Sequence, residues 1–187
     1  STCSVDADGE PMPCRLHLGS CSRTERGKRA AKTMVAIEFA YRAFCEERFP
    51  LPTEEQVAAL ERRIGVRLPN DFREFVLSFN GGYFSEPDIT PPVPECPADC
   101  LHFVRGIGAS HPSAELASES SLTIFSDNDP VQVLPIGYTL MGNLLILLTD
   151  PEKRGTVMLK IAFSDRYFLL AEGIEEFFSL LRERTED

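Results

Sequence analysis

The chain has 187 residues, 43% hydrophobic and 26% charged, with a net charge of −10. That size and balance specify one globular domain with a sizeable core and exclude a disordered or fibrous chain. No uncharged apolar run reaches the roughly 18 residues that a membrane span needs, so none is expected.

In chain order, residues 1–33 show little apolar periodicity and many turn formers, as in STCSVDADGEPMPC. They read as a disordered N-terminal extension, with residues 34–187 as the domain and Met34 as its start or even the translational start. The alternative is a functional basic arm from Arg23 to Lys32. No aromatic residue interleaves those charges, which weakens a nucleic-acid reading. No basic start, apolar middle and small-residue cleavage site follow in order, so a cytoplasmic compartment is expected. Val35 to Glu47 carries Ile37, Tyr41 and Phe44 at helical spacing and predicts a first helix, ended by Phe49-Pro50-Leu51-Pro52.

Leu51 to Gly82 predicts two short helices. Thr53 is placed as an N-cap, with Gln56 three residues on to complete a capping box. Val57, Leu60 and Ile64 make one apolar stripe, and Gly65 sits where a left-handed residue ends a helix. Pro69 opens the second helix, and Phe72, Phe75, Val76 and Phe79 form its stripe. Asn80-Gly81-Gly82 predicts a turn at positive φ.

Four prolines between Pro87 and Pro94 predict an extended loop. Leu101 to Ile107 predicts a short strand. From Ser121 the pattern is β: SLTIFSD, then a turn at Ser126 to Pro130, then VQVLPIGY, in which Pro135 suggests a sheet edge or strand end. NLLILLTD is a continuous apolar run suited to a central strand. TVMLKIAF places Val157, Leu159, Ile161 and Phe163 on one face. RYFLLA follows after a turn. Ile174, Phe177, Phe178 and Leu181 then define a closing helix over Glu172 to Glu183, with Arg182 and Arg184 suiting its C-terminal dipole. Helices, an antiparallel β meander and a C-terminal helix make a single α+β domain.

Three stretches together resemble the SUKH superfamily, which includes the yeast cell-wall-synthesis regulator and many bacterial immunity proteins. The first carries Ile64, Gly65, Leu68, Pro69, Asp71, Phe72, Phe75, Asn80, Gly81 and Gly82. The second carries Leu134, Pro135, Ile136, Gly137, Gly142 and Asn143. The third is AEGIEEFFSLL, so the likeness spans roughly Leu51 to Leu181. The chain departs from the family in having no Trp and a long insert, Pro87 to Ser121. The resemblance implies the same α+β build.

Charge and the reactive residues bound the function. Residues 34–187 hold 13 Lys/Arg and 25 Asp/Glu, a balance of −12. Phosphate binding needs a basic surface, so nucleic acid is not expected as a direct ligand. Acidity either steers a basic partner or keeps the protein soluble. The six cysteines, Cys3, Cys14, Cys21, Cys45, Cys96 and Cys100, read as free thiols. Two sets, Cys14/His17/Cys21 and Cys96/Cys100/His102/His111, lack zinc spacing, and no metal or cofactor is expected. No catalytic motif is present; Cys100 and His102, two apart on a strand, make at best a weak nucleophile and base. An enzyme is therefore not expected. Two acidic turns, Glu86 with Asp88 and Asp127 with Asp129, are the candidate rim for a basic partner.

The resemblance implies a cytoplasmic immunity protein that captures a polymorphic toxin, of nuclease or deaminase type, and blocks it by occlusion. The partner would be a basic toxin domain, with no direct nucleic acid, no membrane, and a monomeric or weakly dimeric protein. The alternative is a regulatory or scaffolding module of the cell-wall-regulator kind.

Overall fold

The computed structural model describes residues 34–116, 122–126, 129–150 and 154–184; the side chains of residues 122–126, 129 and 130 are outside that description. The extension expected over residues 1–33 lies outside the described residues.

The chain opens with α1 (Val35–Ala43) and a short strand β1 (Cys45–Arg48). Helices α2 (Glu54–Ile64) and α3 (Asn70–Ser78) follow. Next come β2 (Gly82–Phe84), β3 (Asp88–Ile89) and β4 (Asp99–Val104). The meander is β5 (Leu122–Ser126), β6 (Asp129–Thr139), β7 (Leu144–Leu148), β8 (Val157–Lys160) and β9 (Tyr167–Ala171). Helix α4 (Ile174–Ser179) and β10 (Leu181–Arg182) close it. The domain is α+β, as its pattern predicts.

Ten strands make one sheet with the main order β1-β2-β4-β6-β7-β8-β9, and every pairing is antiparallel. Two strands share an edge twice. Strand β4 pairs with β3 through its first residues and with β2 through its last. Strand β6 pairs with β5 through Asp129–Val133 and with β4 through Gly137–Thr139. Alternation along the central strands sends Leu134, Ile136, Leu145, Leu147, Val157 and Leu159 into the main core under the helices. Val133, Ile146, Leu148 and Met158 pack on the opposite face. Burial on both faces is why NLLILLTD has no polar alternation. The helices bring Val57, Leu60, Phe72, Phe75, Phe177 and Phe178 to the same core. Tyr41 sits among Phe75, Phe79, Phe84 and Phe178, with ring centroids 4.8–6.3 Å away.

Local chemistry sets the helix ends. The backbone N–H of Gln56 donates to Thr53 Oγ1 at 3.3 Å, and the Thr53 N–H donates to Gln56 Oε1 at 2.8 Å, so the capping box is complete. Gly65 ends α2 with φ 76°. Thr53→Ala removes one side of the box and should lower stability by about 1 kcal/mol, read as a lower urea midpoint at unchanged slope.

Four expectations are corrected. The first helix stops at Ala43 rather than Glu47, because Cys45–Arg48 pairs with β2. The closing helix stops at Ser179 rather than Glu183, because Leu181 and Arg182 pair with Ile89 and Asp88. Leu181 stays buried, but on a strand. Pro135 is internal, not at an edge: it falls between the β5 and β4 segments of one β6 edge, and beside a register shift against β7 on the other. No ladder donor is needed there. Phe163 leaves the core face, since β8 ends at Lys160 and Phe163 lies fully exposed in the next turn.

Candidate partner-binding surface

The Asn80-Gly81-Gly82 corner fixes the sheet edge on which the acidic residues stand. All three residues have positive φ, 56°, 78° and 153°. Asn80 is fully buried. Its Nδ2 donates to the carbonyls of Pro50 and Ile107, the latter at 2.8 Å, and its Oδ1 accepts from the Ile107 N–H at 2.8 Å. One amide thus joins the end of α3, the linker before α2 and the segment after β4. A Cβ on Gly81 would lie 2.4 Å from the Val104 carbonyl oxygen, and one on Gly82 would lie 2.4 Å from that of Glu47. Strand β1 can approach only because residue 82 has no side chain.

That approach builds an open depression of about 670 Å³ lined by Glu46, Glu47, Tyr83, Phe84, Ser85, Glu86 and His102. Glu46 and Glu47 are exposed. The segment holding them reads as a helix tail by periodicity, so they do not stand out in the sequence. Adjacent glutamates beside a glycine-permitted strand pairing are the signal, and only tertiary contact reveals it. Glu86 lies in the depression, but Arg184 Nη1 pairs with it at 3.0 Å and His102 Nδ1 lies 4.0 Å away. Asp88 is half-buried and accepts from the Cys100 thiol at 3.2 Å. The two are therefore near neighbours with local partners. Asp127 lies outside the described residues. Asp129 opens β6 and its side chain is likewise outside them.

Burial, then the bond to Asp88, pushes the Cys100 thiol up to about 11. It stays protonated at neutral pH, which makes it a poor nucleophile, and its bond runs to Asp88 rather than His102. Cys96 is buried in the main core, and His111 Nδ1 accepts from the Ser113 N–H at 3.2 Å.

A second buried network holds the other end of β4. Asp99 is 6% exposed and Asn143 7%. Asn143 Nδ2 donates to Asp99 Oδ2 at 2.6 Å, and Asn143 Oδ1 accepts from the Ala162 N–H at 2.8 Å. Asp99 Oδ1 accepts from the N–H groups of Cys100 and Met141, at 2.8 and 3.3 Å. The start of β4, the β6–β7 turn and the β8–β9 turn are thereby locked together. Gly142 turns at φ 78°, and a Cβ on Gly137 would lie 2.5 Å from the Phe103 carbonyl oxygen. Asp71 lies in the first turn of α3, where its Oδ1 accepts from the Phe72 N–H at 2.9 Å, and Leu68, Pro69 and Phe72 near it in sequence are buried.

These buried asparagines and close-approach glycines are the residues that pattern the chain. Residues 51–180, 130 of the 187, match the SMI1 / KNR4 family (SUKH-1). The chain belongs to that family. Its SUKH-1 region takes in α2, α3, the meander and α4, and stops short of β10. The chain is also similar to the SPbeta prophage-derived uncharacterized protein YokK of Bacillus subtilis (strain 168), 28% identical over 158 residues, covering 74% of this chain and 80% of the relative. No solved structure matches it significantly. Among the described residues, no helix is long and apolar enough to cross a membrane.

Proposed function

We propose that this SUKH-1 protein is a cytoplasmic immunity protein that binds a basic toxin domain, of nuclease or deaminase type, and blocks it by occlusion. Family membership carries the reading. The balance of −12 over residues 34–187 supports it, because an acidic face attracts the basic groove of an enzyme that acts on nucleic acid. The prophage origin of the relative is compatible with a gene that travels with such a toxin. Within the protein, Glu46 and Glu47 are better placed for steering than Glu86 and Asp88, which have partners of their own.

Association kinetics against the purified toxin domain encoded beside the gene test this. The on-rate should fall as salt rises, since screening at about 8 Å in physiological salt shortens the reach of the acidic face. Glu46→Gln with Glu47→Gln should slow association by about two- to tenfold with little change in off-rate. Glu86→Gln with Asp88→Asn should do less. A salt-independent on-rate untouched by either pair would remove the steering mechanism. Absence of binding and of protection would favour a regulatory or scaffolding module instead.

A further inference from the structure

We propose that Leu140, Met141 and Phe163, on the tips of the β6–β7 and β8–β9 turns, form a convex apolar anchor that inserts into an apolar pocket of a basic partner protein. This rests on the toxin-binding reading above and assigns it a contact surface.

Phe163 is wholly exposed, Met141 is 72% exposed and Leu140 42%. A lone exposed apolar residue is ordinary, but these three stand on two turns that are bonded to each other. Phe163 also has φ 56°, a left-handed backbone that suits glycine and disfavours a phenylalanine. Its ring packs on nothing in return for that strain. Strain held without local compensation points to a role outside the fold. The turns are preorganised as well: Asn143 Oδ1 accepts from the Ala162 N–H beside Phe163, and Asp99 accepts from the Met141 N–H itself. A rigid apolar side chain loses little freedom on binding, which is what makes an anchor effective.

Shape and charge select the occupant. The anchor projects outward, so it needs a concave apolar site. A second copy would offer the same projection, and two chains of −10 repel. An anionic membrane surface is disfavoured by the same charge. Beside the anchor Glu95 and Asp165 stand against Lys160 and Arg166, so the charge that selects the occupant is that of the whole domain, −12 over residues 34–187. A basic protein with a pocket deep enough for a phenyl ring fits both features.

The test uses Phe163→Gly and Met141→Ser in the full chain, against the purified toxin domain encoded beside the gene. Phe163→Gly relieves the positive φ, so its thermal midpoint should equal or exceed that of the wild type. Its affinity should fall at least about tenfold, mainly through a faster off-rate. Met141→Ser should weaken binding in the same direction. Wild-type binding that neither variant changes would overturn the anchor and leave the toxin-binding reading intact. No wild-type binding would overturn that reading and the anchor with it. A wild-type dimer in sedimentation that Phe163→Gly dissociates would overturn the proposal in favour of a second copy. Wild-type binding to phosphatidylglycerol vesicles, lost in Phe163→Gly, would overturn it in favour of a membrane.

Discussion

Gly81→Ala is expected to destabilise the domain by about 2–5 kcal/mol, the sum of a left-handed backbone penalty and an unrelieved contact with backbone. Gly81 has φ 78°, and its Cβ would meet the Val104 and Arg105 carbonyl oxygens at 2.4 and 2.5 Å. Flexible side chains can move aside, but two successive backbone carbonyls at the end of β4 cannot. The approach is reciprocal: a Cβ on Gly106 would stand 1.8 Å from the Asn80 carbonyl oxygen. Gly106→Ala should therefore be comparably harmful. The two together should cost less than their sum, since either one already separates the same two backbones. Gly142→Ala is the control. It has φ 78° with nothing within 4 Å of the added carbon, so it isolates the backbone term at about 1–2 kcal/mol. Urea titrations measure the three single variants and the double. An unchanged midpoint in Gly81→Ala would mean that the corner is not pinned to β4.

Asn80→Ala is expected to cost about 2–6 kcal/mol, because it strands the carbonyl and the N–H of Ile107 away from water and removes the bond to the Pro50 carbonyl. Loss on that scale approaches the whole stability of a small domain, about 5–15 kcal/mol. Asn80→Asp separates geometry from chemistry. The shape is kept and one oxygen still accepts from Ile107, but the other now faces two carbonyl oxygens. Its folded-state pKa must then lie above the unfolded value, because the charged form is buried and repelled. The folded state then binds more protons, so the variant should gain stability as pH falls through that window and lose it as pH rises. A variant of Asn80→Asp as stable as wild type at neutral pH would show that the amide donors contribute little.

Features written in local chemistry were legible in the sequence. The Thr53–Gln56 capping box, the left-handed stop at Gly65, the positive-φ corner at Asn80-Gly81-Gly82 and the buried faces of the meander all follow from spacing and residue type. Pairings between distant segments were not. Cys45–Arg48 follows a helix in sequence with no breaker, and becomes a strand because Gly82 leaves room for it. Leu181 satisfies a helical stripe and a strand equally well, and Ile89, about ninety residues earlier, decides between them. The acidic site suffered for the same reason. Glu86 and Asp88 are conspicuous in a proline-rich loop, yet their partners Arg184 and Cys100 come from elsewhere in the chain. Glu46 and Glu47 were hidden inside an apparent helix. Phe163 continues a strand alternation by position, and only the end of β8 at Lys160 takes it off the core face.

The two short outer strands decide how far the chain can be shortened. The family match covers residues 51–180, whereas β1 lies before it and β10 begins at Leu181. A fragment cut at those limits loses α1 with the buried Ile37, Ala40 and Tyr41, and it also strips β2 and β3 of their neighbours. Each would then present a bare row of N–H and C=O groups. In the intact chain one of those edges ends in Glu46, Glu47 and Arg48, charges that discourage a passing strand from joining it. The trimmed fragment should therefore melt lower and also precipitate by intermolecular strand addition, and limits that retain Val35 to Arg182 should keep it folded and dispersed.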